Sequence, residues 1–141
     1  MQTFLLSILV LLLSGILSLL FHRKPCASVI GAGGSLLGAG LGLFPVFRTL
    51  GGHHPAGFSV SGSLLLDSFH VGMDPLSAFF LLPVFLLTAL AAVYGYAYLR
   101  GTETRPHGFS WFCFNLLAAS MALVLVSRNA LLFLFAWEIM A

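Results

Sequence analysis

Five apolar runs, almost empty of charge, constrain this chain more than any other feature. They cover about residues 3–21, 27–47, 75–99, 109–126 and 130–141. A helix needs roughly 20 apolar residues to cross a hydrocarbon core of about 30 Å. The first four runs meet that length, whereas the fifth would rise only about 18 Å. Inside lipid every backbone N–H and C=O must find a partner, and a helix supplies one within its own segment. Composition closes the soluble alternative. The 141 residues are 60% hydrophobic and 7% charged, where soluble domains carry about 25% charged residues. The sequence predicts an all-α integral membrane protein, with about four complete transmembrane helices plus a truncated fifth. Helices 1–2 occupy residues 1–50, an extracytoplasmic loop 51–74, and helices 3–5 residues 75–141.

Several function classes drop out. A net charge of +2, from six Lys/Arg and four Asp/Glu, makes no basic face for nucleic acid. Cys26 and Cys113 form neither a CxxC nor a zinc spacing, so both are expected as free thiols, buried or interfacial. All histidines lie in loops or at helix ends. His53, His54 and His70 share one outward segment, but their spacing matches no standard metal-ligand pattern. Asp67, Asp74 and Glu103 sit outside the spans and make no catalytic carboxylate pair.

The charged connectors set the expected orientation. A secretory signal carries its positive charge before the apolar core, yet here His22-Arg23-Lys24 follows it. The first run is therefore read as a permanent helix with its N-terminus outside. Arg23, Lys24, Arg100 and Arg105 then face the cytoplasm, and Arg48 and Arg128 face outward, as the positive-inside rule favours. Tyr94, Tyr96, Tyr98 and Trp111 resemble an aromatic belt that anchors one interface.

Local punctuation adds detail. The second run contains Gly31-Ala-Gly-Gly-Ser-Leu-Leu-Gly-Ala-Gly-Leu-Gly42, which fails as a dinucleotide turn because Leu36 stands where a glycine is required. Gly34, Gly38 and Gly42 instead recur every fourth residue, a stripe that lets helix backbones pack closely in lipid. Phe58-Ser-Val-Ser-Gly62 alternates at period two, and Leu64–Val71 follows, so a small outward-facing β-hairpin is expected. Asp74-Pro75 opens the third helix: Asp accepts from free N–H groups, and proline suits the first helical position. Pro83 is expected to kink that helix.

Glu138 stands apart as a carboxyl in the apolar run Ala130–Ala141. An ionisable side chain in such a helix is costly and usually faces a partner or a water path. It lies about 12 Å along the helix from Ala130, near mid-membrane, on the face of Leu131, Leu134 and Phe135. No cation of this chain falls inside a span. Asn115 and Ser120 are the polar groups expected to support Glu138 by hydrogen bonding. Desolvation favours a protonated carboxyl and a nearby cation favours a charged one, so a site able to alternate between them meets the requirement of a proton relay. The same residue also fits a neutral structural acid or a carboxylate snorkelling from a short helix.

Four passages carry a family resemblance. Phe69-His-Val-Gly-Met-Asp-Pro-Leu-Ser77 resembles the start of the third helix in the antiporter-like subunits, and Tyr96-Ala-Tyr-Leu-Arg-Gly101 the end of that helix. Asn115–Val126 and Asn129–Met140 resemble their fourth and fifth helices. The family comprises the proton-translocating membrane subunits of respiratory complex I, multisubunit Na+/H+ antiporters and membrane-bound hydrogenases. Phe-Ala-Trp-Glu-Ile-Met is most similar to its hydrogenase-4 and formate hydrogenlyase branch. The resemblance covers about residues 69–141 and is only topological before that.

The resemblance implies a fold of about fourteen helices with two inverted repeats, of which this chain would hold the first helices. It implies that Glu138 is the family's fifth-helix glutamate, paired with a lysine two helices later that this sequence does not contain. No cofactor is expected, because redox centres of such complexes belong to other subunits. The implied partners are other membrane subunits of a respiratory or hydrogenase complex, the lipid bilayer, and protons or Na+. The implied location is the cell (inner) membrane. A truncated membrane protein with only an assembly or scaffold role is the alternative.

Overall fold

A computed structural model describes residues 1–21, 26–53, 58–60, 69–100 and 107–141. Its elements are α1 (Gln2–Leu20), α2 (Cys26–Leu50), β1 (Phe58–Val60), β2 (Phe69–Val71), α3 (Pro75–Arg100), α4 (Gly108–Val126) and α5 (Ala130–Met140). The fold is all-α apart from the two short strands. Helices α1 to α4 are each long and apolar enough to cross a membrane, and α5 is a shorter apolar helix. Their limits fall within three residues of the apolar runs. α3 passes through Pro83, and α2 through Pro45, without interruption.

The helices form one bundle. α2 packs against α1 and α3, α4 packs against α1, and α5 leans chiefly on α4. Each helix turns one stripe inward at helical spacing: Phe4, Ile8 and Leu11 from α1, Ala78, Leu81 and Phe85 from α3, and Ala118, Ala122 and Val126 from α4. Phe4 meets Phe85 edge-on, with ring centroids 6.3 Å apart. The outer faces stay apolar, as at Leu13, Leu37, Phe79 and Leu87. In water such a surface would aggregate. In a bilayer lipid tails cover it, so close packing and polar contacts, rather than the hydrophobic effect, bring the helices together.

The glycines of α2 show how. A side chain at Gly34 would collide with Ser14, and one at Gly38 with Leu11, both on α1. Gly42 instead makes room for the Phe85 ring of α3. The stripe thus serves two neighbours. Gly33 and Gly40, between the stripe positions, face open space.

Trp111 departs from the expected belt. Its ring is 3% exposed and packs in a satellite cluster with Ala32 and Ala92. A Cβ at Gly31 on α2 would collide with Trp111, so this glycine admits it, while Gly95 on α3 borders the ring at ordinary contact distance. An anchoring residue needs a polar neighbour for its indole N–H, yet Trp111 Nε1 is buried without a partner among the described residues. Tyr94 and Tyr98 do project outward and stack, with centroids 6.0 Å apart. Both cysteines are free and exposed at the protein surface. Cys113 therefore lies on the outer face of α4 rather than buried between helices.

The strands pair antiparallel, Phe58 with Val71, Ser59 with His70 and Val60 with Phe69, as a hairpin requires. Residues 61–68 between them, including Asp67, lie outside the described residues, as do His22, Arg23, Lys24, His54, Glu103 and Arg105.

The two ends of the bundle carry different polar devices. At one end the buried Ser18 hydroxyl stands 3.0 Å from the carbonyl of Ala27 and 3.4 Å from that of Gly108, joining the C-terminal turn of α1 to the starts of α2 and α4. At the other end lie the hairpin, Asp74 and the α4–α5 junction.

Candidate functional site

The site is built on α5, and the junction before it sets its direction. α4 stops at Ser127, which is extended (φ −67°, ψ 131°), and Asn129 is extended too (φ −119°, ψ 136°). The Asn129 side-chain oxygen accepts from the backbone N–H of Leu131 at 2.8 Å and so caps the new helix. α5 then turns Ala136 inward, with Leu132 and Met140 half-buried at four-residue spacing on the same face. That narrow stripe is all α5 buries.

Glu138 falls on the other side. It is exposed at the surface of the bundle beside Leu134, Phe135 and Trp137. Among the described residues no hydrogen bond or ion pair reaches its carboxyl. The sequence expectation of support from Asn115 and Ser120 is not met, because both are engaged elsewhere. Asn115 is fully buried between α1, α2 and α4. Its Nδ2 donates to the carbonyls of Trp111 at 3.0 Å and Gly31 at 3.3 Å. Its Oδ1 accepts from the Ser35 hydroxyl at 2.9 Å. The Ser120 hydroxyl donates to the Leu117 carbonyl at 2.9 Å, within its own helix. The reason is physical: an amide facing lipid would leave its donors unpaired, so Asn115 turns to the packed side of α4. Gly15 of α1 makes room for it.

The end of the bundle where α5 begins is charged. Asp74 Oδ1 accepts from the Ser77 backbone N–H at 2.7 Å, closing the first turn of α3. Asp74 Oδ2 meets the Arg128 guanidinium at 2.6 Å. The bonded guanidinium, helped by the Ser77 hydroxyl and backbone N–H, holds the Asp74 carboxyl well below the usual carboxylate range. Sequence reading placed Asp74 and Arg128 on the same side of the membrane but did not join them. The available signal was one acid and one base, each beside a helix start, on that shared side.

The arrangement thus presents an exposed carboxyl with no partner among the described residues. Three or more His, Cys, Asp or Glu side chains do not converge anywhere among the described residues, so the groups for a metal centre are not gathered there.

No protein-family model matches the chain. Over 69 residues, 49% of its length, the chain is 36% identical to hydrogenase-4 component B of Escherichia coli K12. The match spans 10% of that relative. A bundle with four helices long and apolar enough to cross a membrane is thus similar, along just under half of its length, to a short stretch of a much longer hydrogenase component.

Proposed function

We propose that this sequence forms the first helices of a proton- or cation-translocating, antiporter-like membrane subunit in a hydrogenase or NADH dehydrogenase-like complex. The observation that carries this reading is Glu138, a carboxyl without a partner among the described residues on the outward face of an apolar helix. An acidic side chain at the centre of a membrane helix costs about 3 kcal/mol on insertion scales. A helix that keeps one has use for it, and charged groups inside membranes commonly mark ion pathways. In this reading Glu138 relays a proton and exchanges its charge with a cation brought by another segment. Redox chemistry takes place in other subunits, and the N-terminus lies on the extracytoplasmic side of the cell (inner) membrane. The similarity to hydrogenase-4 component B supports the family.

The test is Glu138→Gln in the intact protein, which keeps the size and polarity of the side chain but removes its titration. Coupled proton translocation in reconstituted vesicles is expected to fall at least tenfold, a barrier increase of about 1.4 kcal/mol, while the complex still assembles. Unchanged translocation with unchanged assembly would overturn the relay. Loss of assembly alone would favour the scaffold reading, in which Glu138 is structural.

A further inference from the structure

The α4–α5 junction is held by more than the chain itself. Ser127 bridges antiparallel to Val71 of β2. The Arg128 N–H donates to the His70 carbonyl at 2.8 Å, and the Gly72 N–H to the Val126 carbonyl at 2.9 Å. The junction is therefore laid alongside β2 like a further short strand. The Arg128 side chain then runs across Gly72 to Asp74. A Cβ at Gly72 would stand 3.1 Å from Arg128 Nε and 3.2 Å from its Cγ, a tight contact that the Arg128 side chain would have to relieve by shifting a few tenths of an ångström. Asp74 receives it on one oxygen while capping α3 with the other.

We propose that the Arg128–Asp74 pair is a positioning clasp that sets where α5, and with it Glu138, stands against α3 and α4. The reasoning is one of restraint. α5 fully buries only Ala136, with Leu132 and Met140 half-buried, so packing along its length fixes it weakly. Its N-terminal end is fixed by one side-chain ion pair and two backbone hydrogen bonds to the neighbouring β2–α3 segment. A short helix tied at one end and loosely packed along its side takes its direction from the tied end. Neither Arg128 nor Asp74 touches Glu138. They act through the helix and are positioning residues.

The placement of α5 can be read without any transport assay, and only its consequence for translocation rests on the relay reading above. Nitroxide labels at Leu117 on α4 and Leu134 on α5, with Cys26 and Cys113 changed to serine, report the α4–α5 distance in the intact protein in liposomes. The parent is expected to give one narrow distance distribution. Asp74→Asn removes the charge and keeps a good helix cap. Gly72→Val keeps both charges and crowds the Arg128 side chain. Each should broaden or shift the distribution. Arg128→Gln should resemble Asp74→Asn, and Arg128→Lys, which keeps a cation, should stay near the parent. Parent-like distributions in both Asp74→Asn and Gly72→Val would sink the clasp. Broadened distributions in a protein whose translocation is indifferent to Glu138→Gln would support the clasp and count against the relay.

Discussion

Asp74 has two oxygens and two partners, and this gives it a definite pH signature. Its carboxyl is held below the usual range, first by the Arg128 guanidinium and then by Ser77. Its value in the folded protein therefore lies below its value in the unfolded chain. A group of this kind contributes stability that is present above about pH 3.9, the ordinary aspartate value, and is lost as pH falls through the lowered folded value. The side chains of the pair are 45% and 41% exposed, so solvent screens them. Exposed pairs are worth roughly 0.2–1 kcal/mol. Asp74→Asn is expected to lower the unfolding midpoint slightly and evenly between pH 5 and 8, and the gap from the parent should narrow below about pH 4. Unfolding curves at pH 7 and pH 3 check this, and a gap that widens in acid would refute it. Asn115 was also legible in the sequence as a polar residue inside a span. Its partners were not, because they depend on which helix lies against α4, and Ser35 and Gly31 belong to α2.

Helix boundaries were the easiest feature to read from composition. Run length and apolar content are local properties, and a chain in lipid has little choice but to form helices there. The stripe of Gly34, Gly38 and Gly42 was equally plain, but its partners came from packing: α1 for the first two and α3 for the third. The difference between stripe and non-stripe glycines gives a sharp contrast. Gly34→Leu is expected to destabilise the bundle by about 1–3 kcal/mol through overpacking against Ser14. Gly33→Leu, which projects into open space, should stay within about 0.5 kcal/mol of the parent. Detergent-titrated unfolding of the two variants separates these outcomes, and equal effects would contradict the packing of α1 on α2. Trp111 was misjudged for a related reason. Its position near a helix start looks like an interface, while its burial depends on Gly31, which lies far away in sequence.

The bundle brings Arg48, His53, Asp74 and Arg128 toward the end that holds the hairpin, and Cys26 with Gly108 toward the other. This alternation agrees with successive antiparallel spans. The connector charges then suggest which end faces the cytoplasm. Cysteines introduced singly at His53 and at Arg128 are expected to react with a membrane-impermeant thiol reagent from the extracytoplasmic side. Cys26 is expected to react only from the cytoplasmic side. A reversed pattern would invert the orientation, and labelling of His53→Cys and Cys26 from the same side would contradict the order of spans.

The sequence alone determined the class of solvent, the number and approximate limits of the helices, and the presence of one carboxyl in a short apolar helix. All of these follow from residue type and spacing along the chain. Tertiary structure decided which polar groups meet. It turned Asn115 away from Glu138, buried Trp111 and joined Arg128 to Asp74 across the hairpin. It also set the rotation of α5, which places Ala136 inward and leaves Glu138 exposed. Such choices depend on the faces that adjoining helices present, and those faces exist only once the chain has packed.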